Sequence, residues 1–138
     1  MKFNRLSMIM AAAMALAACS HTPAETSLKE AYADSFMMGC AVNPLHTGGR
    51  LEQARDLILE HFNAISPENC LKPEAVQPRP GVWTFEEADE YVQFGEEHDM
   101  WMLGHTLVWH TQTPSFFWAQ PDGTPNSREE LIETMSAH

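Results

Sequence analysis

Thr84-Phe85-Glu86-Glu87-Ala88-Asp89-Glu90-Tyr91-Val92-Gln93-Phe94-Gly95-Glu96-Glu97-His98-Asp99-Met100-Trp101-Met102-Leu103-Gly104-His105-Thr106-Leu107-Val108 decides the fold, because it runs from a capped helix almost directly into an apolar strand. Thr84 and Glu87 stand in capping-box spacing, Phe85, Ala88, Val92 and Gly95 continue one helical face to about His98, and residues 100–108 have strand character. The same step precedes it. After Gly48-Gly49, the residues Leu51, Ala54, Leu57, Ile58 and Phe62 recur at helical spacing, residues 62–65 read as a second strand, and residues 36–42 as a first. A second capping box, Ser127-Arg128-Glu129-Glu130, opens a helix through Leu131, Ile132 and Met135. Strand and helix thus alternate three times, the signature of parallel βα units in an α/β fold. Long connections follow strands two and three, and in βα barrels such loops are where ligands bind. The first of them carries Pro67, Pro73, Pro78 and Pro80, too many for a helix or a central strand to be expected there.

At 138 residues, 44% hydrophobic and 20% charged, the chain has the composition of one soluble globular domain. Residues 1–18 stand apart from it: Lys2 and Arg5 make a basic start, an apolar run follows, and small residues precede Cys19. This reads as a secretory signal, too short for a membrane-spanning helix. Leu16-Ala17-Ala18-Cys19 resembles a bacterial lipobox, which implies lipidation of Cys19; Ser20 after it resembles lipoproteins sent to the outer membrane. Ordinary signal cleavage, leaving a periplasmic or secreted chain, is the alternative. Residues 19–27 read as a flexible tether and residues 28–138 as the folded part. Removing residues 1–18 takes away two basic residues and no acid, so the formal charge moves from −11 to −13. Such a chain is repelled by nucleic acid and anionic lipid, and a neutral ligand is expected. Cys40 and Cys70 are too few for a disulfide framework, and two buried thiols are expected.

Two stretches carry chemistry. In Ser66-Pro67-Glu68-Asn69-Cys70-Leu71-Lys72, Glu68 accepts hydrogen bonds, Lys72 donates them and Asn69 does both, which suits neighbouring hydroxyls. A surface ion pair between Glu68 and Lys72, with Asn69 shaping a turn, is the alternative. In Gly104-His105-Thr106-Leu107-Val108-Trp109-His110-Thr111-Gln112, His105 and Trp109 fall on one side of an extended strand and His110 on the other. Trp109 offers a flat wall to a sugar ring, and His105 and Gln112 offer uncharged hydrogen-bonding groups. A core tryptophan with histidines satisfied by backbone carbonyls is the competing reading. No metal or cofactor is expected, since the two histidines point apart without a carboxylate or cysteine at ligand spacing.

Together these stretches, with Lys72-Pro73-Glu74, Gln77-Pro78, Gly81, Phe85 and Asp89, resemble the amino-terminal third of glycoside hydrolase family 10, the endo-β-1,4-xylanases. The resemblance runs from about Leu28 to His138. It implies the first three βα units of a TIM barrel, incomplete in this chain, and retaining hydrolysis of internal xylosidic bonds. It implies that Glu68, Asn69, Lys72, His105, Trp109 and Gln112 bind the sugars on the glycone side, with His110 in support. The partner implied is xylan or a xylo-oligosaccharide, the complete protein a monomer, and the membrane reached only through lipid at Cys19. Ser66 departs from a frequent threonine, Cys70-Leu71 lie at a variable place, and Phe116-Phe117-Trp118 leave the stacking residue after Pro114 open. Retaining hydrolysis uses two carboxyl groups about 5–5.5 Å apart; by the resemblance both lie beyond His138, so no catalytic residue is expected here and the fragment alone is expected to be inactive. An open three-stranded sheet is also expected not to form a stable soluble domain by itself. A remnant that binds xylan without cutting it, and another β-1,4-glycanase specificity on the same barrel, are the alternatives.

Overall fold

The computed structural model describes residues 26–138. The expected signal segment, Cys19 and residues 20–25 of the expected tether lie outside the described residues. The described elements are, in order, α1 (Leu28–Ala31), β1 (Gly39–Val42), α2 (Pro44–Thr47), α3 (Glu52–His61), β2 (Ala64–Pro67), α4 (Pro73–Val76), α5 (Glu86–Glu97), β3 (Trp101–Met102), a 3-10 turn (Ser115–Phe117) and α6 (Arg128–Ala137). The three strands form a parallel sheet in the order β1-β2-β3, with Gly39 opposite Ala64, Val42 opposite Pro67, and Ala64 opposite Trp101. Strands adjacent in sequence are adjacent in the sheet, and the long helices α3 and α5 make the two crossovers.

The pleat sorts side chains onto two faces. Val42, Ile65 and Met100 pack with Ile58 of α3 and Tyr91 and Phe94 of α5, with Cys40 and Met102 beside them. Gly95 lets α5 approach β3, because a Cβ there would overlap the sulfur of Met102. The opposite face, with Met37, Gly39, Ala41, Ala64, Trp101 and Leu103, lines an open apolar groove of about 410 Å³.

Several expected boundaries are corrected. The first strand begins at Gly39, because Ser35 and Phe36 donate their N–H groups back to Tyr32 O and the Phe36 ring stacks on Tyr32 at 4.9 Å. The second is shifted two residues, Phe62 capping α3 and Pro67 closing the strand. Pro67 is tolerated because β3 pairs only with Ala64 and Ile65, so no ladder bond to β3 depends on the N–H it lacks. The third strand is two residues long: Leu103 still donates to Ile65 O, but Thr106 N–H goes to Leu71 O of the preceding loop.

The capping box at Thr84 is absent. Phe85 occupies the N-cap of α5 without a side-chain bond, and the Thr84 hydroxyl donates to Ala75 O instead. The buried face of α5 is Ala88, Tyr91, Phe94 and Gly95, while Phe85 and Val92 are exposed. On α3, Leu57 is likewise exposed and Ile58 buried. The box at Ser127 and Glu130 is formed, with bonds of 3.3 and 2.7 Å, although no residue of α6 is buried. The Pro-rich connection does contain a helical turn, because Pro73 sits at the start of α4, where its missing N–H is not needed. Ser27, assigned to the tether, is the buried N-cap of α1.

Candidate functional site

The loop after β2 is anchored from within. Glu68 N–H donates to Val42 O at 2.8 Å, extending the strand pairing by one bond, and Lys72 N–H closes a turn on Asn69 O at 2.9 Å. Cys70 between them is buried and Leu71 half-buried, which leaves Glu68 and Asn69 facing outward and Lys72 partly exposed. Burial, with Glu87 adding to it, pushes the Cys70 thiol up to about 11, so it is a packing group and not a nucleophile. Cys40 is half-buried and both thiols are free.

The expected Glu68–Lys72 alternative pairing is not what the side chains do. Lys72 Nζ donates to Asn69 Oδ1 at 3.0 Å and to Gln112 Oε1 at 2.6 Å, and Gln112 Nε2 donates to Asn69 Oδ1 at 3.2 Å. Three residues from two loops thus form a closed triangle. Gln112 reaches it from a left-handed backbone, φ 53°, unusual for a residue with a Cβ. Its carbonyl accepts from Glu74 N–H at 2.9 Å, so the conformation is held from both the backbone and the side chain. With Thr106 N–H on Leu71 O at 3.2 Å, this makes two backbone bonds stitching the β3 loop to the β2 loop.

Residues 103–112 are not strand, so the expected separation of His105 and Trp109 from His110 by strand parity does not hold. The Trp109 ring meets both: His105 edge-on at 4.9 Å and His110 tilted at 4.7 Å. His105 and Trp109 are half-buried and His110 is exposed. Buried Thr113 clamps Trp109, its hydroxyl donating to Trp109 O at 2.7 Å and accepting from Trp109 N–H at 3.1 Å.

Sequence reasoning missed Thr113, Asn43 and Tyr91. Asn43 Nδ2 donates to Glu68 Oε2 at 2.8 Å. The Tyr91 hydroxyl lies between β2 and β3, 2.9 Å from Ile65 O and 3.1 Å from Leu103 O, just where β3 leaves the sheet. Burial pushes it up to about 12, so it stays a donor. Of the three, Asn43 had a local signal: an asparagine directly before a proline at the start of a helix is a capping pattern.

The unused valences define what the site can hold. Lys72 commits two of its three N–H groups, Asn69 keeps its amide donors, Gln112 keeps one, and Glu68 keeps an acceptor oxygen. That set suits a ligand whose neighbouring groups both donate and accept, and Gln112 offers it from the same loop that carries His105 and Trp109. Glu68, next to Asn69 in the chain, is bonded through its side chain to Asn43 and not to the triangle. Among the described residues no group of three or more His, Cys, Asp or Glu is placed to hold a metal ion.

Residues 27–138 match the family model described as "Glycosyl hydrolase family 10". The chain belongs to glycosyl hydrolase family 10. This family 10 chain is 40% identical over 123 residues to "Endo-1,4-beta-xylanase A" of Halalkalibacterium halodurans, covering 81% of its own length and 30% of that protein. A psychrophilic family 10 endo-beta-1,4-xylanase aligns with TM-score 0.78 and 34% identity across 82% of this chain and 34% of that one. A mutant solved in complex with xylotriose aligns with TM-score 0.73 and 34% identity, across 81% of this chain and 33% of its own. The family 10 chain therefore spans about a third of the length of these relatives. Its three βα units are the corresponding part of their TIM barrel, and the groove beside Trp101 and Leu103 is the face that such a barrel turns inward.

Proposed function

We propose that this chain is the sugar-holding first third of a retaining endo-β-1,4-xylanase. The observation that supports it is the triangle of Lys72, Asn69 and Gln112, which joins the loops after β2 and β3 and leaves donors and acceptors free. In this reading Glu68, Asn69, Lys72, His105, Trp109 and Gln112 hold the xylose units before the scissile bond, with His110 in support. Their contribution to rate is positional: they keep the reacting sugar where the attacking and protonating carboxyl groups reach it. Those two groups belong to later strands of the barrel, and the chain by itself is inactive.

The test is to read the coding sequence past codon 138, express the complete protein and measure reducing-sugar release from xylan, with the anomer of the first product followed by NMR. Release of the β-anomer is expected; inversion or no release overturns the proposal. The role of Glu68 is tested separately with Glu68→Gln. Restoration of its lost activity by azide would make Glu68 a catalytic carboxylate and refute its assignment to sugar binding. We propose separately, from Leu16-Ala17-Ala18-Cys19-Ser20, that the protein is exported and held at the outer membrane through lipid on Cys19, a periplasmic or secreted chain being the alternative.

A further inference from the structure

Asn43 follows β1 directly and belongs to none of the sugar-holding stretches, yet each of its polar groups is engaged. Its Oδ1 accepts from Leu45 N–H at 3.0 Å and caps α2. Its Nδ2 donates to Glu68 Oε2 at 2.8 Å, across 25 positions of sequence. Its own N–H donates to His46 Nδ1 at 3.1 Å, and its carbonyl accepts from His46 and Thr47. The residue is therefore fixed at both ends. One end of the amide is locked to a helical turn and the other to the carboxylate.

Few side chains can do both. Serine and aspartate cap helices as well as asparagine does, but serine has no second arm and aspartate would present a carboxylate where Glu68 needs a donor. The neutral amide also matters for what Glu68 can do next. A lysine or arginine partner would engage the carboxylate in an ion pair, whereas one amide N–H orients it and leaves its other oxygen to accept from a ligand. Backbone pairing of Glu68 N–H with Val42 O keeps the two residues side by side.

We propose that Asn43 is a positioning residue that aims the Glu68 carboxylate at the hydroxyls of a glycone-side xylose unit, so that the loop after β1 is a third wall of the sugar site. This rests on the xylanase reading above.

The test uses the complete enzyme with xylotetraose as substrate, and Asn43→Asp as the main variant, because it keeps the helix cap and exchanges the donor to Glu68 for a second carboxylate. Its thermal midpoint is expected to stay within about 1–2 °C of the unsubstituted enzyme, since aspartate caps equally well. Its kcat/KM is expected to fall about ten-fold, as a charge-assisted bond is replaced by two facing carboxylates. In a Glu68→Gln background the same substitution is expected to cost less than about two-fold, because the carboxylate it acts through is gone. Asn43→Ala, which loses cap and donor together, is expected to lower both midpoint and kcat/KM. If Asn43→Asp leaves kcat/KM within about two-fold, or costs as much with Glu68→Gln as without it, the positioning role is wrong while the xylanase reading stands. An unsubstituted complete protein that does not hydrolyse xylotetraose overturns the xylanase reading, and this proposal with it.

Discussion

Replacing Gln112 by alanine and by glycine separates two contributions that the native residue combines. Its backbone lies at φ 53°, where a residue with a Cβ is disfavoured by about 1 kcal/mol and glycine is nearly unaffected. Its amide receives Lys72 Nζ at 2.6 Å and donates to Asn69 at 3.2 Å. Both bonds are exposed, so together they contribute about 0.5–1 kcal/mol. Alanine keeps the backbone strain and loses the bonds, and is expected to be about 0.5–1 kcal/mol less stable than the native protein. Glycine loses the same bonds but relieves the strain, and is expected to be more stable than alanine by about 1 kcal/mol, the reverse of their order inside a helix or strand. Equilibrium urea titration reads the difference as a shift in midpoint at constant slope. Activity on xylo-oligosaccharides is expected to fall to the same extent in both variants, because both lack the amide. A glycine variant no more stable than the alanine variant would refute the argument that side-chain bonding holds Gln112 in a conformation its backbone resists.

Lys72→Met removes the cation that joins Asn69 to Gln112, and kcat/KM is expected to fall about 100-fold with a stability change below about 1 kcal/mol; Lys72→Arg is not expected to restore it, since a planar fork does not replace a point donor. Tyr91→Phe leaves Leu103 O without its buried donor and is expected to cost about 1–2 kcal/mol in urea titration, with no loss refuting the bridging role. The Cys70 thiol is pushed up to about 11, above its ordinary value of 9.0, chiefly by burial. Its contribution to stability is therefore intact below about pH 9 and is lost as pH rises toward 11, by about 2–3 kcal/mol, while Tyr91, raised from 10.0 to about 12, adds to the decline above pH 10. Cys40, also raised by burial, acts in the same direction, so Cys70→Ala is expected to remove most but not all of the decline between pH 9 and 10. Cys19→Ser is expected to abolish incorporation of labelled palmitate and release the protein from the membrane fraction; labelling that survives the substitution would refute lipidation at Cys19.

The alternation of helix and strand was legible because the helices carry apolar residues at helical spacing and short connections lead into the strands. Strand ends were not legible, because an apolar run does not say where the ladder stops. Leu107 and Val108 look like strand, yet they are 77% and 42% exposed, and the chain leaves β2 after Leu103. Thr84 and Glu87 have the spacing of a capping box, but the Thr84 hydroxyl is taken by Ala75 O, a competitor that no local pattern reveals. On α5 the face expected through Phe85, Ala88, Val92 and Gly95 is rotated to Ala88, Tyr91, Phe94 and Gly95, and the carbonyls of Ile65 and Leu103 that receive the Tyr91 hydroxyl lie far away in sequence. Glu68, Asn69, Lys72 and Gln112 were found as residue types that suit hydroxyls. That three of them interlock, and that Glu68 turns to Asn43, depends on loops brought together across about 25 to 43 positions of sequence.

The two bonds that stitch the β2 and β3 loops, Leu71 O to Thr106 N–H and Gln112 O to Glu74 N–H, involve main-chain atoms alone. That part of the frame is thus indifferent to side-chain exchange. Substitutions at Glu68, His105 or Trp109 leave both main-chain bonds and the triangle in place, whereas Asn69 also ties Lys72 to Gln112 and its loss loosens the join. A protein built this way can drift between related substrates by single replacements, and a mutagenesis library confined to Glu68, His105 and Trp109 should yield mostly folded variants that differ in what they hold.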